Sequence, residues 1–126
     1  MKDVLFEFYI GDTYSRDFTI SGYASEITNV FFTVKKDIND KRYVLQKTLD
    51  NGITLVDIEY DEEGNIVSRT YNLLIDADET ESLRPDVDYS FDIEIVSPGE
   101  NDIKKTIITG IFRVANATTR NFNEGE

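Results

Sequence analysis

Chemistry in this sequence would have to come from carboxylates, lysines and tyrosines. The 126-residue chain has no cysteine, histidine or tryptophan. That removes thiol nucleophiles, disulfides, thiolate or imidazole zinc sites, and every Ser-His-Asp or Cys-His arrangement. Two acidic groups remain. Asp57, Glu59, Asp61, Glu62 and Glu63, followed by Gly64 and Asn65, superficially resemble a calcium loop. Such a loop needs ligands at fixed alternating positions and a closing Glu, between two helices. Twelve residues on from Asp57 stands Arg69, and the flanks read as strands, so the segment is expected to be a solvated hairpin. The second group is Asp86, Asp88, Asp92 and Glu94. Asp92 and Glu94 share one face of an extended segment, roughly 6 to 7 Å apart from the rise per strand residue, near the separation used by glycosidases. Any solvent-facing strand offers that spacing, and no further group converges on it. It reads as a polar face that discourages edge pairing. No catalytic, cofactor-binding or metal-binding residue is assigned, and the chain is expected not to be an enzyme.

The other polar candidates suit contact rather than catalysis. Tyr60, Tyr71 and Tyr89 fall in register with apolar neighbours, which predicts core rings with hydroxyls at the rim. Tyr14 and Tyr23 lie in turn-rich surroundings and are expected to be exposed contact residues. Lys35, Lys36, Lys41 and Arg42 form a basic cluster in a chain of net charge −12. The cluster suits an acidic neighbour, although a solvated hairpin tip has the same composition.

Period-two alternation organises nearly the whole chain. The clearest case is 83–96, LRPDVDYSFDIEIV, where Tyr89, Phe91, Ile93 and Ile95 alternate with Ser90, Asp92 and Glu94. Residues 4–10 place Val4, Phe6, Phe8 and Ile10 on one face before Gly11-Asp12, and 17–22 point Phe18 and Ile20 inward. Residues 27–36 direct Val30, Phe32 and Val34 one way and Phe31, Thr33 and Lys35 the other. A loop at 37–42, with Asn39-Asp40 at its tip, leads to a strand over 43–49. Asp50-Asn51-Gly52 is a turn. Val56, Ile58 and Tyr60 then alternate with Asp57 and Glu59, and a hairpin returns through Val67, Tyr71, Leu73 and Ile75, with Gly64 in the left-handed position.

A short helix is predicted over 77–83, with Asp76 as N-cap, Glu79 three residues on, and Pro85 as the stop. After the strand at 89, a turn at 97–102 leads to a last strand over 103–114, where Gly110 suggests a bulge or a close crossing. The expectation is an all-β fold, an antiparallel immunoglobulin-like sandwich of about seven to nine strands with one short helix. It forms a single domain over 1–114, with 115–126 a flexible C-terminal tail.

Composition limits the function classes. With 40% hydrophobic residues, seven Tyr and eight Phe, the chain can build a core without metal or disulfide. Twenty-five acidic against 13 basic residues make a sequence-independent grip on nucleic acid improbable, since that depends on clustered Lys and Arg. No stretch approaches the roughly 20 apolar residues of a membrane-spanning helix. Asp3 and Glu7 interrupt the apolar run a signal peptide needs. Synthesis in a cytoplasm is expected.

Several features resemble those of small immunoglobulin-like modules of phage and prophage tails, such as the N-terminal domain of baseplate upper proteins. They are the early strand followed by Gly11-Asp12-Thr13, Val34-Lys35-Lys36, and Asn51-Gly52-Ile53. With them go 78–83 leading into 88–93, and the closing strand 106–114. The likeness spans residues 4 to 114 and consists of strands and turns, without reactive signature residues. It implies a virion structural protein that docks to other tail subunits or to itself, with no cofactor, nucleic-acid or membrane partner. The longer members carry a C-terminal fibre or receptor-binding extension that this chain lacks, so a self-contained adaptor or a fragment is expected rather than direct host attachment. Two alternatives belong to other classes. An acidic inhibitor or nucleic-acid mimic would concentrate carboxylates on one surface, whereas here they sit in turns along the chain. A carbohydrate-binding module would rely on Tyr in place of a Trp platform.

Overall fold

Alternating apolar residues become eight strands in the computed structural model, which describes residues 4–37, 39–81, 83–85 and 87–115, Val4 by its backbone alone. These are β1 (Val4–Tyr9), β2 (Tyr14–Ser21), β3 (Asn29–Lys35), β4 (Leu45–Leu49), β5 (Gly52–Tyr60), β6 (Ile66–Ile75), β7 (Asp88–Ser97) and β8 (Ile103–Ala115). One helical turn, α1 (Ala77–Thr80), separates β6 from β7. The strands form one mixed sheet in the order β1-β8-β7-β3-β4-β5-β6-β2, curled into a nearly closed barrel. The all-β expectation holds. Exclusive antiparallel pairing does not. β1 runs parallel to β8 from Val4↔Gly110 to Tyr9↔Ala115, and β4 meets β5 in parallel at Thr48↔Gly52 and Leu49↔Ile53. A period-two pattern specifies which face a strand buries, not the direction of its neighbour.

The core is aromatic where β1, β3, β7 and β8 meet. Phe6 lies 4.5 Å from Phe91 and 6.0 Å from Phe32, and Phe32 lies 5.3 Å from Phe91 and 5.8 Å from Phe112, ring centre to ring centre. Val30, Val34, Ile93 and Ile95 are fully buried beside them. Arg16 crosses from β2 to β1, its guanidinium 4.1 Å from the Phe6 ring centre and Nη1 donating to the Leu5 carbonyl at 3.3 Å. The two edge strands are thereby linked across the seam.

Some expectations fail locally. Tyr71 and Tyr89 are buried, but Tyr60 and Val56 are exposed. Register shifts between Leu55 and Asp57 and between Glu59 and Tyr60 break the alternation, and a bulge changes which residues face inward. The register shift in β8 falls opposite Ile93 and Glu94, away from Gly110, which marks the point where β1 joins. The strand expected from Tyr43 begins at Leu45, and Ala115, assigned to the tail, ends β8. The rest of that tail, 116–126, lies outside the described residues. The left-handed residues of the 50–52 turn are Asp50 and Gly52.

The helix stops at Thr80 rather than residue 83, and a buried charge fixes its position. Lys47, on β4, points inward and is buried, and its Nζ donates to Glu79 Oε1 at 2.6 Å and Oε2 at 2.5 Å. Oε1 also accepts the Asp76 amide at 2.9 Å. Gly52 leaves space for the lysine: at φ +99° a Cβ there would lie 2.5 Å from Lys47 Cδ. Thr80 Oγ1 accepts the Gly11 amide at 3.0 Å, tying the helix to the β1–β2 turn. Arg69, equally buried, donates to the carbonyls of Tyr23 at 2.7 Å and Ser25 at 2.5 Å.

Two stability predictions follow from this packing. Phe91→Ala should cost about 3 to 5 kcal/mol in urea unfolding, and an unchanged midpoint would refute the packing described. Burial by itself raises the Glu79 pKa, but the Lys47 hydrogen bond, the Asp76 amide and the lysine charge together hold it below its ordinary 4.5. The stabilisation is therefore complete above about pH 4.5 and fades as pH falls through the depressed folded value. Glu79→Gln should cost about 2 to 3 kcal/mol near neutrality, with the gap to wild type closing in acid.

Candidate interaction face

On the outward sides of β8, β7, β3 and β4, side chains from distant segments converge. Alternation puts Phe31, Thr33 and Lys35 of β3 on this side. Antiparallel register sets them opposite Glu94, Asp92 and Ser90 of β7. On the other flank Gln46 stands opposite Thr33 and donates from Nε2 to its Oγ1 at 3.1 Å. Lys41 and Tyr43 from the β3–β4 connection and Lys104 from β8 complete a shallow depression of about 410 Å³. It combines two aromatic rings, three lysines and two carboxylates. Such a surface suits directional contact with a folded partner, because aromatics supply area and charges of both signs supply register.

Asp92 is the least comfortable group on it. Partial burial pushes its pKa up, the Lys35 charge opposing, and among the described residues its carboxylate makes no hydrogen bond. Glu94 is half-buried beside it. Asp88 is differently placed. Arg113 holds it with Nε at 2.6 Å from Oδ1 and Nη2 at 3.0 Å from Oδ2, and reaches Glu7 at 3.5 Å. The Arg113 hydrogen bonds keep the Asp88 carboxyl below its ordinary range. This row across β1, β8 and β7 is exposed and contributes little to stability. Asp86 lies outside the described residues.

Of the sequence-derived contact residues, Lys35 and Lys41 line the depression, while Lys36 and Arg42 are exposed at the same end of β3 and in the adjoining loop. The two tyrosines are not part of it. Tyr14 is not an exposed contact residue: its ring lies 4.7 Å from Phe8 and 6.2 Å from Phe6, and burial pushes its pKa up, with Arg16 opposing. Tyr23 is half-buried against the core, its hydroxyl hydrogen-bonded to Ser97 Oγ. Its ring sits under Lys105 at 5.9 Å. The residues missed were Phe31, Tyr43, Gln46 and Lys104. Phe31 had a visible signal, a large apolar side chain on the polar side of a strand, whereas Lys104 joins the patch only through the β7–β8 register.

The acidic hairpin is a turn of ordinary chemistry. Asp61 Oδ1 accepts the amides of Glu63 and Asn65, each at 2.9 Å, and Gly64 takes φ +86°. The Asn65 amide leads the interactions that hold the Asp61 pKa low. Among the described residues no three acidic side chains gather in a metal-binding arrangement. No helix among them is long and apolar enough to cross a membrane. No protein-family model matches the chain, and a search of curated proteins finds no match.

The strained carboxylate gives a prediction. Because the folded pKa of Asp92 lies above its ordinary 3.8, ionisation destabilises the fold at neutral pH, and the penalty disappears as pH falls through the folded value. Asp92→Asn should raise the thermal midpoint at pH 7 and match wild type in acid. A lower midpoint at pH 7 would contradict this account.

Proposed function

We propose that the chain is a non-enzymatic structural module that docks to other protein subunits, in the tail or baseplate of a phage or prophage. We further read its sheet as an immunoglobulin-like sandwich. The sandwich reading is supported by the narrow β4–β5 junction, two residue pairs in parallel. Around it β1-β8-β7-β3-β4 and β5-β6-β2 act as two layers. A second support is Tyr89 at the start of β7, whose hydroxyl accepts the Arg84 amide at 2.9 Å. Immunoglobulin-type sandwiches place a tyrosine in the same way at the corner before the equivalent strand.

The observation that carries the docking role is the face formed by Phe31, Tyr43, Lys35, Lys41, Lys104, Asp92 and Glu94. Aromatic area ringed by charges of both signs is an interface composition. The tail assignment rests on the resemblance of the strand and turn pattern, with the virion as the site of action. Tail particles purified after prophage induction of the source strain should contain the chain by mass spectrometry. Recombinant protein should co-sediment with particles lacking it. Lys35→Glu/Lys41→Glu should lose co-sedimentation by at least about tenfold while keeping a native circular dichroism spectrum. Absence of the chain from such particles would remove the tail assignment, and full binding by the double variant would remove the docking face.

A further inference from the structure

We propose that the chain assembles head to tail with copies of itself, the free edge of β5 in one copy adding to the free edge of β8 in the next. Besides the outer edges of the terminal strands β1 and β2, runs of β8 and β5 inside the strand order lack a second neighbour among the described residues. β1 joins β8 only at Gly110, so residues 103–109 of β8 pair with β7 alone. The β4–β5 contact ends at Ile53, so residues 54–60 of β5 pair with β6 alone. Each run presents a row of backbone donors and acceptors, which is the template for strand addition.

Over residues 54–60, β5 is the open side of the β5-β6-β2 layer. Val56 is 53% exposed and Tyr60 60%, apolar side chains left in water beside an open edge that an added strand would cover. At the other edge Ile103 is 56% exposed. The gap between β8 and β2 is a trough of about 330 Å³ whose lining includes Ile20, Tyr23, Lys105 and Ile107, with room for side chains of an incoming strand.

Charge selects the pairing. Residues 54–67 contain Asp57, Glu59, Asp61, Glu62 and Glu63 and no Lys or Arg, whereas β8 begins with Lys104 and Lys105 after Ile103. Like charges disfavour either edge pairing with its own kind, and opposite charges favour the cross pairing. The contact is heterologous, so it propagates or closes into a ring rather than stopping at a two-fold dimer. It shares Lys104 with the docking face but does not use Lys35 or Lys41, so a Lys35/Lys41 variant separates the two.

Sedimentation of the full chain at low ionic strength should show a concentration-dependent series of oligomers that recedes in high salt. Asp57→Lys/Glu59→Lys and Lys104→Glu/Lys105→Glu should each be monomeric with native circular dichroism. Mixed one to one, they should associate again into the oligomer series, since the native β8 edge of the first meets the native β5 edge of the second and the two reversed edges are also opposite in sign. Lys35→Glu/Lys41→Glu should oligomerise as wild type. The inference is overturned if wild type stays monomeric at all concentrations, or if either edge variant still oligomerises alone. Failure of the mixture to associate, or loss of oligomers in the Lys35/Lys41 variant, overturns it too.

Discussion

A buried ammonium is the constraint on which the closed end of the barrel depends. Lys47 is carried inward by the alternation of β4, where Leu45 is also buried, and a charge removed from water must be paired. Both oxygens of Glu79 meet it, so the helical turn can sit in only one place. One of those oxygens also accepts the Asp76 amide, and the next residue, Thr80, accepts the Gly11 amide. The turn before β2, the strand β4 and the β6–β7 connection are thus fixed by a single ion pair and its hydrogen bonds. Gly52 belongs to the same arrangement because any side chain there would meet the lysine stem. Arg69 acts similarly on β6, where its guanidinium holds the carbonyls of Tyr23 and Ser25.

These anchors explain how a sheet with two unlike edges stays curled. β1 and β2 are consecutive in the chain but lie at opposite ends of the strand order. The turn between them spans the seam, and Arg16 reaches back over it to Phe6 and Leu5. β1 covers only the second half of β8, and β4 touches β5 over two residue pairs. Closure is strong where the aromatic cluster and Lys47 lie and weak beyond them. The weak places are the unpaired runs of β5 and β8.

The central strands were legible in the sequence because they bury one face throughout. The 88–97 and 29–35 alternations map directly onto β7 and β3, with Phe91, Ile93, Phe32 and Val34 in the core. The same reading failed at Val56 and Tyr60, where bulges shift the phase, and hydrophobicity alone carries no mark of a bulge. It also missed Lys47 and Arg69. A basic residue in a strand reads as outward, and its partner, Glu79 for one and loop carbonyls for the other, is distant in the chain. Parallel pairing of β1 with β8 was invisible for a related reason: strand direction is settled by closing the sheet, a property of the whole chain. Half of the basic cluster, Lys35 and Lys41, proved to line the candidate face. Tyr14 was misread because its turn-rich surroundings concealed the ring contacts it makes with Phe6, Phe8 and Phe112.

The outer surface of β8-β7-β3-β4 differs from the core in the quality of its local solutions. Inside, among the described residues, the buried charges have direct partners: Lys47 has two carboxylate oxygens and Arg69 two carbonyls. On the face, Asp92 is partly desolvated and feels only the charge of Lys35, while Phe31 and Tyr43 remain partly or largely in water. Folding alone would be better served by an amide or hydroxyl at position 92 and polar residues at 31 and 43. A surface that keeps a strained carboxylate and two aromatic rings side by side is poorly explained by stability of the isolated chain. It is well explained if a partner supplies the donors and the apolar cover that these three residues lack.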